Sequence, residues 1–172
     1  MRSYLIIAII FITGTSELKS QVFKTIKIGK QEWMASNFSV PFPGSWAYNE
    51  DPAIEAKYGR LYTWDAAVKA CPKGWRLPTL QEWEELVTYF GGEDKAGNAL
   101  KPGGISGFNA RLGGITGVGN FRLIGDYGAF WTSTANDFEN AWFIYLSIKS
   151  AAATSTFSVK NQGFSVRYIK NK

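Results

Sequence analysis

The 172-residue chain has no histidine, one cysteine and six prolines. Without histidine it has no imidazole acid–base chemistry and no imidazole ligand for zinc or iron. A single cysteine, Cys71, excludes an internal disulfide and leaves a thiolate zinc site without ligands. No Gly-x-x-x-x-Gly-Lys-Ser/Thr run occurs, so there is no phosphate-binding loop of that type. The longest apolar run near the N-terminus, Tyr4 to Ile12, falls short of the about 20 residues of a membrane-spanning helix. Bases exceed acids, 19 against 14, for a net charge of +5. They are scattered, without the clustered basic footprint of a nucleic-acid binder.

The residues that are present point first to export. Arg2, the apolar run Tyr4–Ile12 and the small polar stretch Thr13–Ser16 have the order of a signal peptide. Residues 1–20 are read as that peptide, with cleavage after Ser20, and residues 21–172 as one domain. Cleavage removes Arg2, Lys19 and Glu17, which lowers the net charge by one. Residues 1–20 contain no cysteine for a lipid anchor, so the expected location is secreted, periplasmic or cell-surface, with no stable membrane insertion. Aromatic residues make up 16% of the chain, seven of them Trp, alongside 18 glycines. That mixture predicts a loop-rich fold pinned by large side chains.

Along the chain, residues 22–35 read as a strand, a turn at Gly29 and a second strand, with Phe23, Ile26 and Ile28 alternating among polar residues. Residues 36–57, with Pro41, Pro43 and Pro52, read as a loop. A first helix is expected from Thr63, which can cap it, to Cys71, before Pro72. A second starts at Thr79, where Thr79 and Glu82 form a capping box. Trp83, Leu86, Val87 and Phe90 make its apolar face, and Gly91-Gly92 stop it. Residues 91–128 are glycine-dense and read as irregular. Strands are expected at Phe130–Thr134, Ala141–Ile148 and Gly163–Lys170, with an edge strand at Phe157–Lys160. Early helices and late strands make the class α+β.

Trp33-Met34-Ala35, Tyr58-Gly59-Arg60-Leu61-Tyr62-Thr63-Trp64, Cys71-Pro72-x-Gly74-Trp75-Arg76-Leu77-Pro78-Thr79 and Glu82-Trp83-Glu84 recur in that order. Gly107-Phe108-Asn109-Ala110, Phe130-Trp131-Thr132-Ser133-Thr134 and Gly163-Phe164-Ser165-Val166-Arg167 follow. Taken together they resemble the Fibrobacter succinogenes major paralogous domain, over nearly all of residues 23–170. That family occurs mainly in secreted or surface proteins of Bacteroidetes and Fibrobacteres. The Trp-Arg-Leu-Pro-Thr-x-x-Glu-Trp-Glu stretch is also similar to domains of C-type-lectin-like fold, among them formylglycine-generating sulfatase-modifying enzymes. The resemblance implies two helices packed on small antiparallel sheets, paired terminal strands and a long loop region carrying the ligand surface. It also implies that the Cys71 position pairs with a cysteine in the final strand of relatives. Tyr168 stands there instead, which leaves Cys71 as a buried structural thiol.

Catalysis finds little support in the residues. The cysteine pair of a formylglycine-generating enzyme and the histidines of an iron sulfoxide synthase are both missing. Glu82, Glu84 and Glu85 are a carboxylate cluster of the kind a glycosidase uses, but acids in a first helical turn suit the helix dipole. Between two expected strands, Asn136, Asp137, Glu139 and Asn140 carry side-chain oxygens. Asp137 and Glu139 are the calcium candidates, but four neighbours fall short of the about six to eight oxygens calcium takes. No other cofactor is expected. Trp131, Trp142 and Tyr145 are flat enough to stack on a sugar or a protein, although Trp131 and Trp142 sit in apolar strands and read as core. Alternation sets Trp142, Ile144 and Leu146 on one face and Phe143 and Tyr145 on the other, with one set less buried. Arg76 and Arg167 are expected to pair with carboxylates or backbone inside the domain. The candidate ligand-binding residues are thus Asn136, Asp137, Asn140, Trp142, Tyr145 and Asn161. The expected function is a non-catalytic binding or adhesion module for a glycan or surface protein. A structural assembly protein and a carboxylate-based enzyme are the alternatives.

Overall fold

The computed structural model describes residues 22–117 and 120–171; the expected signal peptide lies outside them. The chain forms a small α+β domain of short antiparallel sheets and helices. Strands β1 (Thr25–Ile28) and β2 (Gln31–Met34) pair as a hairpin whose turn holds Gly29 at φ 58°, as the alternation predicts. The C-terminal strand β12 (Ile169–Lys170) adds to β2, Ile169 facing Trp33, and to β5 (Trp75–Arg76). The first and last strands of the described residues therefore share one sheet.

The expected loop at 36–57 is more ordered than its prolines suggest. Strand β3 (Ser45–Ala47) pairs with β4 (Arg60–Tyr62), and helix α1 runs Pro52–Tyr58. Asp51 caps α1 by accepting from the Ala53 and Ile54 amides, and Pro52 sits at its first position, where a proline gives up no hydrogen bond. Helix α2 (Trp64–Lys69) is capped by Thr63, whose hydroxyl accepts from Ala66 N at 3.2 Å. It stops short of the expected end, so Cys71 lies beyond the helix on the turn before Pro72 and is half-buried rather than buried. Tyr168 and Cys71 belong to the same apolar cluster, and the Tyr168 hydroxyl donates to Ala67 O at 2.6 Å. Burial pushes the Cys71 thiol up to about 11. Alkylation of the folded protein at pH 8 is therefore expected to be at least tenfold slower than in denaturant, because the thiolate is the reactive form. Equal rates would contradict the packed placement of Cys71.

Helix α3 (Leu80–Tyr89) matches its sequence signature. The Thr79 hydroxyl accepts from Glu82 N at 3.2 Å, and the Glu82 carboxylate accepts from Thr79 N at 3.0 Å. Trp83, Leu86 and Val87 are buried. Glu82 also accepts both terminal nitrogens of Arg76 in a bidentate pair. Burial pulls the Glu82 carboxyl up, and the bonds from Arg76 and Thr79 more than reverse this, leaving it below its ordinary value. Glu82 is thereby fully engaged in structure.

The stretch after Gly92 contains a further helix, α4 (Glu93–Leu100), where irregular chain is expected. Its Gly97 hides the helix in the sequence and has a packing reason. It lies against the backbone of residues 151–152, where Asn98 N donates to Ala151 O.

Strands β8 (Tyr127–Ala135), β9 (Asn140–Ser147) and β10 (Ala153–Val159) form the central antiparallel sheet. Phe130, Ile144, Leu146 and Ala153 on one face join a core with Trp33, Trp83, Leu86 and Phe108. Ala129, Trp131, Ala141 and Phe143 on the other join a second core with Met34, Phe38, Tyr62 and Tyr168. The expectation that one side of β9 is less buried therefore fails. The sheet is a middle layer, so exposure changes along the strand and not between its faces. Remaining strands β6 (Ile115–Gly117), β7 (Asn120–Arg122) and β11 (Gln162–Gly163) make a small sheet at the edge.

Gly163–Lys170 is not one continuous strand. Between β11 and β12, residues 164–168 are all buried and bond in turn to different neighbours. Phe164 exchanges backbone hydrogen bonds with Tyr62, Ser165 bonds Ala129 and Trp131, Val166 O accepts from Phe38 N, and Tyr168 O accepts from Met34 N. The segment stitches the sheets together. Arg167 sits within it with no exposed surface. Its Nη1 donates to Met34 O (3.0 Å) and Phe108 O (2.8 Å), and its Nη2 to Asn37 Oδ1 (2.8 Å) and Asn109 O (3.3 Å).

Candidate functional site

The loop joining β8 to β9 is built around Asp137. Its Oδ1 accepts the backbone amides of Glu139 (2.9 Å) and Asn140 (2.8 Å), and its two oxygens take the Asn140 side-chain amide, both at 2.9 Å. Asn136 Nδ2 adds a bond at 2.9 Å. An aspartate that bonds the backbone two and three residues on closes a tight turn, the usual role of this residue type in loops. The Asn140 side chain, then other bonds to the charged form, hold the Asp137 carboxyl down to about 2, against an ordinary 3.8. The closed turn prefers the charged carboxylate, so its advantage is complete above pH 4 and is lost as pH falls towards about 2. The Glu139 and Asn140 amide shifts are expected to titrate with a midpoint near 2; a midpoint near 4 would contradict the turn.

A second clasp comes from outside the loop. Lys160 Nζ donates to the carbonyls of Asp137 and Phe138, both at 2.9 Å, and lies 4.7 Å from the Trp64 ring centre. The Lys160 amide donates to Glu139 O, and its carbonyl accepts from Trp64 N. The loop is thus tied to the start of α2 through one lysine. Sequence reading does not single out Lys160, because its partners are backbone atoms 22 and 23 residues away.

At the tip of this braced loop Phe138 is 94% exposed. Beneath it, β9 and β10 pair Trp142 with Phe157 and Asn140 with Val159. Trp142 is half-buried and meets Phe157 edge-on, with ring centres 5.6 Å apart, while Phe157 and Val159 are exposed. The distal end of the hairpin therefore carries an apolar patch on a fixed turn. Phe138 stands in the loop and Phe157 in the expected edge strand, yet neither is among the residues that sequence reasoning selects.

The structure brings together only part of the predicted set. Asn136, Asp137 and Asn140 share the turn, Trp142 lies directly below it, and the exposed Asn161 follows the clasping Lys160. Tyr145 is further along β9 on the opposite face and stacks on Tyr127, ring centres 5.2 Å apart. Trp131 is fully buried, and its indole donates to Tyr62 O at 2.8 Å. Among the described residues no three carboxylate or cysteine side chains converge as a metal site. Of the calcium candidates, Asp137 spends its oxygens on N–H donors, and Glu139 is exposed.

Over residues 26–170 the sequence matches the profile of the Fibrobacter succinogenes major domain. The chain belongs to this family. The match runs from β1 to β12, so the Fibrobacter succinogenes major domain spans both cores, the stitching segment and the braced hairpin alike. No curated protein and no solved structure matches it.

Proposed function

We propose that this domain is an exported, non-catalytic binding or adhesion module that grips a glycan or protein ligand through the β8–β9 hairpin tip. The observation that carries the reading is Phe138, a large apolar side chain held in water at the end of a doubly clasped turn. Left exposed, it gains nothing on folding, whereas burial of such a side chain against a partner is worth about 1.5–3 kcal/mol. Binding supplies that gain, and the turn is already ordered, so little conformational entropy is given up on contact. The tip protrudes, and an aromatic anchor suits a concave protein surface better than the flat face of a sugar ring. The paired terminal strands, the helices after them and the long loop region support a C-type-lectin-like architecture for this reading. The export half rests on residues 1–20.

An array of polysaccharides and bacterial surface proteins tests the proposal, and at least one specific binder is expected. An empty array together with stable oligomers at low micromolar concentration would overturn it in favour of an assembly role.

A further inference from the structure

A second feature lies away from the hairpin, where the segment after β2, the end of α1 and residues 109–111 enclose a polar pocket of about 190 Å³. Its walls include Asn37, Lys57, Tyr58, Asn109 and Arg111, with the exposed Ser36 and Ser39 at the mouth. Asn37 is buried and donates to Tyr58 O and Arg111 O, each at 2.9 Å, which fixes the pocket's base. Asn109 holds a left-handed backbone, φ 54°, a conformation that asparagine adopts more readily than other non-glycine residues.

The charge around this pocket does not balance. Directly behind Asn37 and Asn109 lies the fully buried Arg167, whose four bonded N–H groups all go to neutral oxygens. Its Nε is buried without a hydrogen-bond partner. Among the described residues neither Arg167 nor Arg111 has a carboxylate partner. The one acid in the wall, Glu55, is taken by Arg60 at 2.7 Å. Burial, and then the charge of Arg111, pull the Arg167 guanidinium down from its usual range. Lys57 at the rim adds a further cation. A buried cation without a counter-ion is costly, and an anion nearby relieves it.

We infer that this pocket binds a small carboxylate carried on a polar ring, of the size and chemistry of a uronic acid. The carboxylate meets Arg111 and Lys57, and the ring hydroxyls meet the hydroxyls of Ser36 and Ser39 in the wall. The volume suits one ring and is below the about 300–1,000 Å³ of sites for larger ligands. The inference is independent of the hairpin-tip reading and stands or falls separately.

Titration of the whole domain with sodium galacturonate and glucuronate, neutral galactose and acetate, followed by amide NMR, tests it. The expected result is saturable shifts at residues 36–39 and 109–111 with a uronate, at least tenfold weaker binding of galactose and of acetate, and loss of affinity at high salt. Arg111→Gln is expected to weaken uronate binding at least tenfold, and the exposed Lys57→Ala, which leaves the interior untouched, by a smaller factor of about threefold. Phe138→Ala is expected to leave uronate binding unchanged. Absence of uronate shifts, equal binding of galactose, or acetate binding as tightly as the uronates would overturn the assignment.

Discussion

Replacing Arg167 by methionine is expected to destabilise the domain by more than about 4 kcal/mol, read as a fall in the urea midpoint. Exchanging a buried ion pair for apolar side chains is often harmless, because both charged partners leave together. Here they cannot. Three of the four acceptors are main-chain carbonyls of Met34, Phe108 and Asn109, and these remain after the substitution. Each orphaned buried acceptor costs about 1–3 kcal/mol, and Asn37 Oδ1 is a fourth. Stacking of the guanidinium over Phe108, at 4.4 Å, is lost as well. Against a total stability of about 5–15 kcal/mol this leaves a marginal fold. Arg167→Lys is expected to rescue little, since an ammonium cannot present a planar fork to four acceptors. A methionine variant within about 1 kcal/mol of the parent would show that the stitching segment does not depend on Arg167.

The second large effect reverses the ordinary rule for glycine in a helix. Gly97 lies inside α4, and on helix propensity alone alanine there is more stable by about 1 kcal/mol. Packing opposes this and is stronger. A β-carbon at Gly97 lands 2.7 Å from Ala151 O and closer still to Ala152 O. Those are backbone atoms of the chain entering β10, so neither side can swing aside. Gly97→Ala is therefore expected to destabilise by about 2–3 kcal/mol, as overpacked cores do, and to loosen α4 from the sheet. Measured stabilisation would mean that α4 does not dock on residues 151–152.

These two residues mark where sequence reasoning succeeds and fails. Local rules with local partners are readable: Thr79 and Glu82 cap α3, Gly29 turns the first hairpin, and Arg76 finds a carboxylate six residues on. Asp51-Pro52 is an equally local start signal for α1, and the proline-rich surroundings mask it. Gly97 reads as a helix breaker because its reason lies in the chain entering β10, more than fifty residues later. Residues 164–168 alternate like a strand, yet each bonds a different element, a pattern no period reveals. At the candidate site the polar turn around Asp137 is legible from composition. Its brace, Lys160, and its exposed anchor, Phe138, are not, because exposure of an aromatic is a property of the folded surface.

The central claim is that the hairpin tip makes the contact, and the most direct measurement is the affinity of Phe138→Ala for whichever polysaccharide or surface protein the array returns. Removing an exposed side chain leaves the fold intact, so the thermal midpoint is expected to stay within about 2 °C of the parent. Affinity is expected to weaken at least tenfold, about 1.4 kcal/mol, as for an aromatic anchor at an interface. Binding within twofold of the parent would place the ligand elsewhere on the domain and contradict the claim.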